Sequence, residues 1–95
     1  MEFINTYRST RSGFSHTTEL HNEGRLLSTA KCYYINRTWE AYTYQSCMQK
    51  AVYIAMENEI QTQKELMGIK RLTKEKKQEI INYSSLINQL KNLKL

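Results

Sequence analysis

The sequence has no proline, three glycines and two cysteines in 95 residues, and no run of about 18 apolar residues. Each shortage excludes something. Without proline there is no polyproline segment or proline-stiffened linker, which fits a chain spent mostly in regular structure. The glycines stand alone at 13, 24 and 68, so no glycine-rich loop exists to cradle phosphates. Two cysteines cannot build the framework of a disulfide-dense secreted domain. Without a long apolar run no membrane span is expected. The N-terminal Met-Glu-Phe-Ile-Asn lacks the basic-then-apolar layout of a signal peptide. The expectation is a cytoplasmic chain with reduced thiols and no membrane partner. At this length the chain is a single domain with a thin core, leaving little room for an enclosed catalytic cavity. No carboxylate pair stands out as an acid–base dyad, so the expectation is a protein that is not an enzyme.

Three patterns are present. The first is alternation. Phe14, His16, Thr18 and Leu20 take one face, and Ser15, Thr17 and Glu19 the other. His21-Asn22-Glu23-Gly24 follows, with Asn and Gly as turn residues. Arg25 to Ile35 then reads as a second strand, with Leu26, Ser28, Ala30, Cys32 and Tyr34 on one face and Leu27, Thr29, Lys31, Tyr33 and Ile35 opposite. The result is a β-hairpin, and the small Ala30–Cys32 surface would let a helix approach closely. Phe3, Ile4 and Tyr7 suit a further edge strand.

The second pattern is helical. Asn36 is placed to cap a helix and Glu40 to sit in its first turn. Tyr44, Cys47, Met48, Ala51, Val52 and Ala55 recur at helical spacing, and Trp39, Tyr42 and Tyr53 make a second stripe. Gly68, in a left-handed conformation, would close this helix. Thr73 would cap another, with Glu75 in its first turn and Ile80, Tyr83, Ile87 and Leu90 on its apolar face, flanked by Ile81, Leu86 and Leu93. That spacing suits a helical hairpin, or a seam with a second copy in a homodimer. The expected fold is α+β: a two- or three-stranded antiparallel sheet over 1–35, a long helix over 36–67 and a C-terminal helix over 73–93.

The third pattern is charge. The formal net charge is +5, and six of the 14 basic residues, Lys64, Lys70, Arg71, Lys74, Lys76 and Lys77, crowd the turn between the helices. The plain reading is a solvated helix end. The functional reading is a contact to nucleic-acid phosphates or to an acidic protein surface. No base-reading motif accompanies it. Tyr33, Tyr42 and Tyr53 are the aromatic candidates for a partner surface, since Tyr is favoured at interface hot spots and can stack bases. Trp39 and Tyr44 are assigned to the core. His16, His21, Cys32 and Cys47 supply two ligands of each kind for zinc, but no close Cys–Cys pair exists and the histidines come first. Neither metal nor cofactor is expected.

Tyr34-Ile35-Asn36-Arg37-Thr38-Trp39-Glu40, continuing to Tyr42, Tyr44, Gln45 and Ser46, resembles a motif of small proteins encoded by phages and prophages of low-GC Gram-positive bacteria. In these a strand-like N-terminal part runs into an Asn-Arg-Thr-Trp-Glu helix start. The likeness covers about 15 to 20 residues. It implies a mobile-element protein in a bacterial cytoplasm. Such proteins often bind and disable a host protein, a CRISPR effector or other nuclease complex included, or bind nucleic acid. The implied function is a stoichiometric inhibitor of a host defence nuclease of the anti-CRISPR kind. The alternative is a basic nucleic-acid-binding accessory protein that works through the inter-helix turn.

Overall fold

The computed structural model describes residues 1–9, 11, 13–34 and 41–94, the side chains of 34 and 41–45 excepted. The fold is α+β, with three strands followed by two helices: β1 (Glu2–Ser9), β2 (Phe14–Asn22), β3 (Arg25–Tyr34), α1 (Ala41–Met67) and α2 (Lys74–Lys91). Two compact units divide the chain, 1–54 and 55–94, so that α1 contributes to both.

In the first unit the strands form an antiparallel sheet in the order β1-β2-β3. Register places Asn5 opposite Thr18 and Tyr7 opposite His16. It also places Thr18 opposite Ala30 and His16 opposite Cys32. Side chains alternate across a pleated strand, so one face gathers Phe3, Asn5, Tyr7, Phe14, His16, Thr18, Leu20, Ala30 and Cys32. His16, Thr18, Leu20 and Ala30 on it are fully or almost fully buried, as are Cys47 and Ala51 of α1. The helix lies close on this face. Ser28 Oγ donates to the Ala51 carbonyl at 2.6 Å, and the Cys47 thiol donates to the carbonyls of His16 and Ala30, each at 3.6 Å. The small residues at Ala30, Cys47 and Ala51 make that approach sterically possible.

Two details of the hairpin depart from the alternation. The ladder shifts register between Leu20 and His21, a bulge that lets two residues of β3 oppose one of β2. Beyond it Leu27, not Leu26, joins the buried face: Leu27 is 6% exposed and Leu26 50%. The turn itself is Glu23–Gly24, with Asn22 still paired to Arg25. Both turn residues have positive φ, 52° for Glu23 and 77° for Gly24, as a two-residue turn matched to strand twist requires. Asn22 is therefore a strand residue and Glu23 carries the left-handed conformation.

In the second unit Leu86, Ile87, Leu90 and Ala55 are buried, whereas Ile81 and Met67 are exposed, so the apolar stripe of α2 is narrower than its sequence pattern. Gln63 Nε2 donates to the Ile80 carbonyl at 3.2 Å and to Ser84 Oγ, tying the last turns of α1 to α2. Thr73 caps α2 as expected, its side chain accepting from the Lys76 amide at 3.2 Å. Gly68 does follow the end of α1, its amide reaching the Lys64 and Glu65 carbonyls, but among the described glycines only Gly24 has positive φ. The helix therefore stops without the left-handed closure expected of Gly68. Asn36, Arg37, Trp39 and Glu40, and the side chains of Tyr42 and Tyr44, lie outside the described residues.

The two glycines separate cleanly by experiment. A Cβ at Gly24 would meet nothing within 4 Å, yet its φ suits L side chains poorly, so Gly24→Ala should lower stability by about 1 kcal/mol through backbone strain alone. At Gly68 a Cβ would touch carbonyl oxygens no closer than 3.5 Å. Gly68→Ala should be neutral or stabilise by up to about 1 kcal/mol. Thermal or urea unfolding of the two variants beside wild type reads both; equal losses would contradict the assignment.

Candidate functional site

The expected basic site lies wholly in the second unit, on the last turns of α1, the connection 68–73 and the first turn of α2. Hydrogen bonds shape it. The Gly68 and Ile69 amides reach back to the carbonyls of Lys64 and Leu66, and the Lys77 amide reaches the Thr73 carbonyl at 3.1 Å. On this frame Lys64, Lys70, Arg71, Lys74 and Lys77 are exposed and Lys76 is half-buried. Glu65 and Glu75 are the acidic residues between 64 and 77. The single ion pair among the described residues, His21 with Glu19 at 2.9 Å, is elsewhere, so none of these six cations has a carboxylate of the described residues within ion-pair distance. Lys74, Lys76 and Lys77 occupy the N-terminal turn of α2, where the helix macrodipole already carries positive partial charge. The cations there repel the dipole and reinforce one another, which raises the local positive potential.

The aromatic candidates fall in the first unit. Tyr33 is 70% exposed and Tyr53 63%, so both belong to the surface. They are not brought together with the basic residues within one unit.

A polar cluster on the helix-facing side of the sheet, with His16 and Thr18 buried and Asn5 and Tyr7 exposed, was not anticipated from the sequence. Asn5 Oδ1 accepts from Thr18 Oγ1 at 2.7 Å and lies 2.8 Å from His16 Nε2. An amide oxygen has no hydrogen to give, so Nε2 bears the ring proton and donates. Thr18 Oγ1 is 3.2 Å from the same nitrogen, and Tyr7 stacks on the imidazole with centroids 4.6 Å apart. Because the contributing residues come from paired positions of two strands, only strand register could have revealed it. It gives the buried Thr18 hydroxyl and the buried His16 Nε2 a hydrogen-bond partner in Asn5.

Cysteine chemistry follows from the same packing. Cys47 is buried and Cys32 partly so, and both are free thiols. Burial pushes the Cys47 thiol above its ordinary value of 9.0, with the neighbouring Cys32 thiol adding to the rise. A thiol held neutral is a poor nucleophile. Among the described residues no three His, Cys, Asp or Glu side chains gather as metal ligands would, and His21 bonds Glu19 instead. Nor, among those residues, is any helix long and apolar enough to cross a membrane.

Fold and surface thus define a small α+β chain with a cationic connection between its helices. Compared with known proteins, it matches no family model, no curated protein and no solved structure.

In the native protein Cys32 should alkylate well before Cys47, and both should react fully in denaturant; peptide mass spectrometry after brief iodoacetamide treatment measures the order. Replacing Cys32 with Ser and Cys47 with Ala should leave a folded protein, at a cost of about 1 kcal/mol for the small cavity at 47. The raised thiol also sets a sign. The unfolded chain releases the Cys47 proton at lower pH than the folded one, so wild type should lose stability as pH rises past about 9. Cys47→Ala should not show that part of the loss in melting curves taken from pH 7 to 10.

Proposed function

We propose that this chain is a non-enzymatic binding protein that holds a nucleic-acid backbone through the connection between its helices. One observation carries the reading: six cations crowd residues 64–77, without carboxylate partners among the described residues, and three sit at a helix N-terminus where they weaken the helix. Ordinary solubility needs no such arrangement. A polyanion compensates both the mutual repulsion and the dipole.

A second reading is a stoichiometric inhibitor of a host defence nuclease of the anti-CRISPR kind, acting by occupancy. The phage-like motif supports it, and so does Tyr53, a large aromatic on α1 left mostly in solvent, as anchors of protein interfaces are before they dock. The partner would then be a host protein.

The two readings separate in one set of measurements. Duplex DNA binding by wild type should weaken steeply with salt, with a log–log slope near −0.9 per phosphate contact. Replacing Lys70, Arg71, Lys74, Lys76 and Lys77 with Gln should abolish measurable binding at physiological salt and flatten the slope. If bare nucleic acid binds weakly while a nuclease is held and silenced at a fixed ratio, with Tyr53→Ala releasing it, the second reading takes the place of the first.

A further inference from the structure

The face of the sheet turned away from α1 carries a second cationic surface. Register builds it. Arg8 pairs with Ser15 and Thr6 with Thr17; Ser15 pairs with Tyr33 and Thr17 with Lys31. Two adjacent rows therefore cross all three strands, Arg8–Ser15–Tyr33 and Thr6–Thr17–Lys31. Arg8 stands at one edge and Lys31 at the other, on a diagonal, with hydroxyls between them. A cavity of about 290 Å³ opens here, lined by Thr6, Tyr7, Arg8, Ser15, Thr17 and Lys31. Ser15, buried despite facing this side, belongs to its floor. No carboxylate lines it; Glu19, two residues along β2 on the same face, bonds His21. Lys31 Nζ sits 5.4 Å from the centroid of the Tyr33 ring, and that ring is the most exposed of the large apolar or aromatic side chains described.

We propose that this face binds single-stranded nucleic acid, with Arg8 and Lys31 holding a phosphate over the Ser15, Thr17 and Thr6 hydroxyls and Tyr33 stacking an unpaired base. Charge complementarity selects an anion: two cations without carboxylate partners among the described residues face a floor of hydroxyl donors. Size selects one nucleotide unit, since the volume lies at the lower end of the range for small-ligand sites, about 300 Å³. The exposed ring beside a lysine selects an unpaired base, because stacking on an aromatic needs a free π-face and an adjacent cation supports it. The open side lets a strand continue past the site. This inference rests on residues 1–34 and is independent of the helical connection.

The test uses the full chain and a fluorescent eight-nucleotide oligothymidylate, followed by anisotropy at several salt concentrations. Arg8→Gln with Lys31→Gln should weaken binding at least about tenfold and reduce the salt slope by about 0.7, the share of one phosphate contact on a single strand. Tyr33→Leu should cost about 5- to 100-fold, the worth of one stacked base, with little change in slope. All three side chains are exposed, so melting temperatures should stay near wild type and confirm folded variants. The protein with the five Gln replacements in the connection should keep this response to the sheet variants. Oligothymidylate binding that none of the sheet variants alters would overturn the proposal. So would equal competition by inorganic phosphate or a free mononucleotide, or tighter binding of a phosphopeptide, each of which shows a different occupant.

Discussion

The closeness of α1 to the sheet governs the first unit. A serine hydroxyl on β3 reaches a helical carbonyl at 2.6 Å, and a helical thiol reaches carbonyls on two strands. Contacts between side chains of one element and backbone of the other need short separation. That is available only where Ala30, Cys47 and Ala51 keep bulk out of the way. A larger side chain at any of the three would force the elements apart, and overpacking of this kind typically costs 1–3 kcal/mol. Close contact also commits one face of the sheet to the helix. The polar residues buried there, His16 and Thr18, bond the exposed Asn5 of β1, because unpaired buried polar groups are costly.

Much of this was legible from residue types. Alternation in β2 put His16, Thr18 and Leu20 on one face, and the small surface at Ala30 and Cys32 announced a close helix. Thr73 was recognisable as a cap because threonine accepts from the free amides of a first turn. Other features lie beyond composition. A bulge adds one residue without any required residue type, so nothing in Leu26-Leu27 says which leucine turns inward. Glu23 adopts positive φ because the turn length demands it, against its own preference. Gly68 ends α1 by position, and the left-handed geometry its residue type permits is not used.

The candidate sites differ in the same way. The cationic connection is contiguous in sequence, and a charge count finds it. Arg8 and Lys31 are brought to one surface only by the register of three strands, and β1, mostly exposed, gives little periodicity from which to infer that register. A site made by cross-strand pairing is invisible until the pairing is known. The same holds for the Asn5–His16–Thr18 cluster.

Local stability and surface charge pull in opposite directions at the start of α2. Thr73 supplies an acceptor to the first free amides, and Glu75 sits where the dipole favours an anion. Lys74, Lys76 and Lys77 sit there too, each unfavourable by a few tenths of a kcal/mol or more. A helix selected for stability alone would carry its lysines at the other end, as α1 does with Lys64 in its last turn. Cation placement at both ends of one connection, the C-terminus of α1 and the N-terminus of α2, is favourable for the first helix and unfavourable for the second. What the two ends share is position, not helix energetics. The positive surface at that position therefore forms at a small cost to the start of α2.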